Sequence, residues 1–335
     1  MRCLIVLAVV LICVPTVRAD DPTKAAIEKG LRRIEQGAEN YTKKRTCFSC
    51  HHTGMALMSL SSAKRRGFEV EPAKIKHQLD FTLKAFKSKK ERILKGQGIE
   101  GGNTQAAYGL FALEAAGQDA DETTAALVEY LLVRQHKDGK WPALANRPPT
   151  EGSAFTNTAL ALRALRAFGP GKDADDAKAL RERIDKAFAK GRDWLLKNKP
   201  ATTEDKMFRL RGLVSGLTDR KEIEAARDAL LKEQHKDGSW SQLPDTDGDA
   251  YATGAVVMAL RSAGLATTDP AYQKAVKFLL KTQQEDGSWI VQTRSRPVQV
   301  FFDNGDPGGK SQFISFAATN WAVLALLETL PTVRK

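Results

Sequence analysis

Residues Cys47-Phe48-Ser49-Cys50-His51-His52-Thr53-Gly54 bring two of the chain's four cysteines and two of its five histidines into eight positions. Thiols and imidazoles spaced in this way can do three things. Cys-x-x-Cys-His is the pattern for covalent haem: both thiols add to the vinyl groups and His51 becomes an axial ligand of the iron. Zinc can take the same donors in a tetrahedron, with His52 as the fourth. Or Cys47 and Cys50 close a surface disulfide and no cofactor is bound. If the stretch is helical, Cys47, Cys50 and His51 stand at i, i+3 and i+4 on one face. The expectation is therefore one cofactor site at Cys47, Cys50 and His51, carrying haem c. Zinc on Cys47, Cys50, His51 and His52, and the cofactor-free disulfide, are the alternatives.

Compartment bears on all three. The chain opens MRCLIVLAVVLICVPTVRAD. Arg2, an apolar run from Cys3 to Val14 and the small-residue site Val17-Arg18-Ala19 have the layout of a secretory signal peptide, and the run is too short to span a bilayer. Cleavage near Ala19 would leave residues 20–335 as an extracytoplasmic protein, periplasmic or secreted, with no transmembrane segment. Cys3 and Cys13 leave with the leader. One remaining pair of cysteines is no disulfide framework, so a large apolar core must hold the fold. Loss of Arg2 and Arg18, with no acid removed, lowers the formal charge from +12 to +10. The basic runs, such as Lys87 to Arg92 and Lys64 to Arg66, lack the interleaved aromatics of a nucleic-acid surface. Nucleic acid is thus not expected as a partner, and contact with anionic lipid or polymer is the class left open.

A repeat positions the cluster. RQHKDGKW ends at Trp141, EQHKDGSW at Trp240 and TQQEDGSW at Trp289, so one unit is about 50 residues long and one copy has decayed. Each motif follows an amphipathic segment; Tyr272, Val276, Leu279 and Gln283 share one helical face. After each comes a run that is small and apolar nearly all round: Thr156 to Gly169, Ala252 to Gly264, Ala317 to Leu330. A helix apolar on every side must be buried on every side. The alternation continues where the motif is lost, with Ile75, Leu79, Leu83 and Phe86 on one face and an inner-type run from Thr104 to Gly117. Six outer/inner pairs follow, beginning near Pro22, with no strand-like alternation of any length.

The three motifs, Gln135–Trp141, Gln234–Trp240 and Gln283–Trp289, resemble the QW motif of squalene–hopene cyclases and protein prenyltransferase β-subunits. The resemblance is explicit from about Gln97 to Leu330. It implies one all-α domain over residues 20–335, an (α/α)6 toroid with an apolar central cavity, and an apolar or isoprenoid-like small molecule as partner. In that family the motifs tie outer helices together and are not catalytic. The chain also resembles a group of exported bacterial proteins that combine such repeats with Cys-x-Ser-Cys-His-His, and it shares with them Thr293 to Phe302 and Ser311 to Ser315. Where that group suggests Pro-His-Gly, this chain has Pro307-Gly308-Gly309.

Squalene–hopene cyclases protonate substrate with an aspartic acid of an Asp-x-Asp-Asp-Thr-Ala motif at the mouth of an inner helix. Aligning Thr253 with that threonine leaves Asp249 as the only carboxylate and puts Tyr251 in the proton donor's place. Asp249 and Tyr251 are thus expected at the cavity mouth, and squalene cyclisation is not, because a phenol is about six pK units weaker than a carboxylic acid. Thr53 to Leu60 matches Thr253 to Leu260 in character, which sets Cys50, His51 and His52 over Ala250, Tyr251 and Ala252 at a second inner-helix mouth. Three functions stay open: a haem- or metal-binding toroid for redox or ligand binding, an isoprenoid-type cyclase or transferase, and a cofactor-free scaffold.

Overall fold

The structure is a computed structural model that describes residues 21–170, 177–296 and 300–332. The expected leader, with Cys3 and Cys13, lies outside the described residues. Thirteen α-helices and one π-helical turn are described, with a single two-residue strand pair, β1 (Trp240–Ser241) and β2 (Gly248–Asp249).

The outer helices are α1 (Pro22–Lys44), α3 (Pro72–Lys87), α6 (Glu122–Arg134), α8 (Lys178–Lys197), α10 (Arg220–Leu231) and α12 (Pro270–Thr282). Their starts are written locally. Asp21 and Asp269 cap α1 and α12 with a proline at the first turn, and Asp121 closes a capping box with Thr124 on α6. The inner helices are α2 (Ala56–Arg65), α5 (Gly102–Ala115), α7 (Ala154–Phe168), α9 (Thr203–Ser215), α11 (Ala250–Ser262) and α13 (Gln312–Leu327). The five-residue α4 (Lys90–Leu94) is an extra turn between α3 and α5. Inner helices are buried all round: in α13 every residue but Phe313 is buried. They pack as a closed ring in the order α2, α5, α7, α9, α11, α13 and back to α2. This is the six-pair toroid expected.

The repeat motifs show what closes the outer ring. Gln135, Gln234 and Gln283 each donate Nε2 to the carbonyl of their own motif glycine and to a carbonyl of the next outer helix, Ala187 on α8, Ala271 on α12 and Ala26 on α1. Trp141, Trp240 and Trp289 donate Nε1 to carbonyls ten residues back, at Leu131, Leu230 and Leu279. Their backbone N–H groups go to Thr158, Thr253 and Thr319 on the inner helix that follows. Each motif thus joins three helices, and the last joins α12 to α1, closing the circle. Between α8 and α9, where the motif has decayed, no such tie exists among the described residues.

The toroid's axis departs from the apolar cavity that the resemblance implied. Arg211 of α9 lies over Phe111 of α5 (5.1 Å), Trp321 of α13 (5.6 Å) and Phe208 of its own helix (5.7 Å). Those three helices alternate around the ring, so one guanidinium spans its centre.

Candidate active site at the mouth of the toroid

The opening cluster begins the first inner element, a π-helical turn over Cys50–Met55 that runs on into α2. Ser49 caps it, its Oγ accepting from His52 N–H, while Thr53 and Gly54 N–H both reach the Ser49 carbonyl. Asp249 caps α11 in the same register, its Oδ1 accepting from Ala252 N–H. The expected correspondence between the two mouths therefore holds. A turn closed from i to i+5 holds more residues than an α turn, so adjacent side chains splay less, and such turns recur at functional sites. Here two successive imidazoles touch.

Cys47 lies before the turn, so the face shared by Cys47, Cys50 and His51 does not form. Cys50 is in the core at 1% exposure; Cys47 is exposed and near Tyr41 OH (3.2 Å), and both thiols are free. Thioether bonds to haem need both thiols at one accessible edge, and the Cys50 thiol, pushed up by burial, is turned from solvent. Zinc needs three or four converging donors. No group of three His, Cys, Asp or Glu side chains among the described residues is placed to hold a metal ion. As arranged, these residues do not fit either cofactor.

The histidines instead form a chain with an acid. His52 is stacked between Phe316 (4.1 Å, 12°) and Tyr41 (5.3 Å, 15°). Its Nε2 lies 2.6 Å from Asp306 Oδ2, and its Nδ1 lies 2.6 Å from His51 Nδ1. Asp306 also accepts from Asn304 Nδ2 (2.6 Å) and pairs with buried Arg33 (3.1 Å). Burial alone would raise Asp306, but the His52 hydrogen bond, Asn304 and the Arg33 charge hold it below the usual range, so it is ionised. Burial holds both imidazoles below the usual histidine value, that of His51 well below, so both are neutral near pH 7.

These states fix the tautomers. Ionised Asp306 accepts, so His52 carries its proton on Nε2, and its bare Nδ1 accepts from His51 Nδ1–H, which also lies 2.9 Å from Ser49 Oγ. His51 Nε2 is left as a lone pair without a partner among the described residues. His51 lines a pocket of about 480 Å³ with Tyr41, Cys47, Phe302, Phe313 and Arg147.

Asp249 and Tyr251 stand at the start of α11, Asp249 half-buried and Tyr251 fully buried. Asp249 is tied up as the cap and by Gln242 Nε2 (2.8 Å). Tyr251 is 1% exposed; its OH donates to Glu204 Oε2 (3.1 Å) and lies 3.3 Å from Thr150 Oγ1. Glu204, Asp306, Arg33 and Arg211 are the groups sequence reasoning missed. Asp306 was near to hand, beside Pro307-Gly308-Gly309, but nothing local ties it to a histidine 254 positions away.

The C-terminal domain of squalene–hopene cyclase matches this chain over residues 171–332. The squalene–hopene cyclase of Zymomonas mobilis subsp. mobilis is 38% identical over 112 residues, 33% of this chain and 16% of that enzyme. The chain belongs to the squalene–hopene cyclase superfamily of α/α toroids. Within that superfamily, the type II terpene cyclase MstE from Scytonema superposes with a TM-score of 0.57 at 15% identity, over 91% of this chain and 98% of that one. The fold extends to other chemistry. A glycosidase variant in complex with glucose superposes with a TM-score of 0.62 at 12% identity, over 94% of this chain and 100% of that one. At such identities these likenesses show the fold alone.

Glu204 has a measurable consequence for the pH dependence of stability. Burial raises its carboxyl to about 8, against hydrogen bonds from Thr156 and Tyr251. The folded state therefore holds this proton more tightly than the unfolded chain does. The associated stability is fully present below about pH 4.5 and lost as pH rises through about 8, on the order of a few kcal/mol. Glu204→Gln should flatten the fall of the thermal midpoint between pH 5 and 9, measured by circular dichroism.

Proposed function

We propose that this toroid is an acid–base enzyme, not a polyene cyclase, and that it acts on a small, largely apolar molecule bound at its mouth. The Asp306–His52–His51 chain, ending in a bare His51 Nε2 at the pocket, carries this reading. A proton leaving a bound hydroxyl, thiol or activated C–H passes to His51 Nε2. The new imidazolium keeps Nδ1–H on His52 Nδ1, and His52 keeps Nε2–H on Asp306, whose charge offsets the cation one ring away. Arg33 and Asn304 hold Asp306, and Tyr41 and Phe316 hold the His52 plane. The division of labour is that of other carboxylate–histidine systems, with a second histidine as the reacting group. Phe302, Phe313 and Tyr41 in the pocket wall, set beside the charged Arg45, Glu100, Arg147 and Glu151, and the geranylgeranyl dihydroxybenzoate substrate of MstE support a largely apolar ligand. On this reading the chain works outside the cytoplasm, as expected of residues 1–19.

Polyene cyclisation is left out because Tyr251 stands where the strong acid is needed and Arg211 fixes a positive charge on the axis where a carbocation would travel.

Two measurements test the proposal. Nitrogen-15 NMR at pH 7 should show His51 protonated on Nδ1 and His52 on Nε2. Hydrolysis of p-nitrophenyl butyrate, an apolar ester probe, should fall roughly 100-fold or more in His51→Gln, the scale of a lost general base. The rate should also fade on acidification, as His51 gains its proton. An Nε2-protonated His51 with an unchanged ester rate would overturn the proposal, and stoichiometric haem or zinc on the purified protein would replace it with a cofactor reading.

A further inference from the structure

We propose that the interior of the toroid holds a second site, for the carboxylate of an apolar acid, with Arg211 as its cationic anchor and Tyr108 as an additional donor. This goes beyond the His51 reading and does not depend on it.

Arg211 is 8% exposed, yet no carboxylate among the described residues lies within ion-pair reach of it. Its contacts are the faces of Phe111, Phe208 and Trp321. Arg163 lies over the same Phe111 ring (4.6 Å) but has its own carboxylate, Glu114, at 2.5 Å. Two guanidiniums thus share one ring and only one is paired. Burial and the charge of Arg163 pull Arg211 down to about 10, which still leaves it a cation at neutral pH. A buried cation normally acquires a counter-charge, and aromatic faces replace only part of the hydration it has lost.

Neither acid of its own helix supplies that charge: Asp205 accepts from Ser153 Oγ and from the Ala201 and Thr202 backbone at the start of α9. Glu204 lies seven residues before Arg211, about 10 Å along the axis, and its two oxygens are taken by Thr156 and Tyr251. Around neutral pH its carboxyl is also uncharged. Tyr108, fully buried one turn before Phe111 on α5, has a hydroxyl with no hydrogen-bond partner. Buried hydroxyls are normally satisfied, so an unpartnered one within electrostatic reach of an unpartnered cation describes half of an anion site. Arg211 keeps 8% exposure, so part of its side chain borders space that water can enter.

The chemistry selects the ligand. One guanidinium matches one negative charge, and its planar fork matches a carboxylate. The surrounding Phe111, Phe208 and Trp321 suit an apolar body; a dianion would be left half compensated. On this proposal the ligand enters past Thr150, which lines a small mouth pocket with His51 and lies 3.3 Å from Tyr251 OH.

Octanoate and 1-octanol differ in head group and little in chain, so they are suitable probes. By titration calorimetry on the full chain, octanoate should bind wild type at least 10-fold more tightly than 1-octanol. The preference should vanish in Arg211→Met, survive in part in Arg211→Lys, shrink several-fold in Tyr108→Phe and persist in His51→Gln. Free of ligand, Arg211→Met should melt no lower than wild type, since it removes an uncompensated buried charge. Equal affinity for the two probes, failure of octanoate to bind, or an undiminished preference in Arg211→Met would each overturn the proposal. A preference lost in His51→Gln but kept in Arg211→Met would move the carboxylate to the mouth.

Discussion

Asp306→Ala should lower stability by about 3–5 kcal/mol, the usual consequence of removing one partner from a buried ionic network. Arg33 would keep its charge at 9% exposure with no acid beside it. His52, at 0% exposure, and Asn304 Nδ2 would lose their acceptor. Thermal or urea denaturation of both proteins measures the loss directly. Asp306→Asn distinguishes the two roles of the residue: it keeps the shape, so most of the fold should survive. It removes the charge that fixes the His52 tautomer, so the ester rate should fall far more than the stability does. The pH dependence carries a sign as well. Asp306 is depressed in the folded state, so its contribution is present above the unfolded carboxyl value, near 3.8, and lost as pH falls through the lower folded one.

Gly287→Ala should be nearly as damaging, at about 3 kcal/mol, for a different reason. Gly287 has φ of 88°, which costs an L-residue roughly 1–2 kcal/mol. A Cβ there would also run into the Lys29 carbonyl of α1, where the outer ring closes. Gly264 separates the two effects. Its φ is 85°, but a Cβ there meets nothing within 4 Å, so Gly264→Ala should show the backbone penalty alone. The difference between the two variants in urea denaturation measures the contact between α12 and α1. Equal losses would show that the motif glycine serves the turn and not the ring.

The fold was largely legible because its determinants are local and repeated. Amphipathic and wholly apolar helices differ in composition within a single turn, and Gln283, Gly287 and Trp289 announce one joint by their spacing. The place of the opening cluster was legible for the same reason: Thr53 and Thr253 begin matching segments, and Ser49 and Asp249 cap them in the same register. Its chemistry was less so. Reading Cys47, Cys50 and His51 as one face assumed that a helix already ran at Cys47, whereas it starts at Cys50 as a π turn. That shift leaves Cys47 outside, turns Cys50 into the core and sets His51 against His52.

From the sequence alone came the six helix pairs, the ties between them, and the end of the toroid where reactive side chains gather, since periodicity and capping act within a few residues. Only the tertiary structure decided the partners. Asp306 finds His52 across 254 positions, Glu204 finds Tyr251 across 47, and Arg211 meets aromatic rings from two other inner helices. Ring closure brings these groups together. Their ionisation follows from burial and from one another's charge, neither of which exists until the chain has closed on itself.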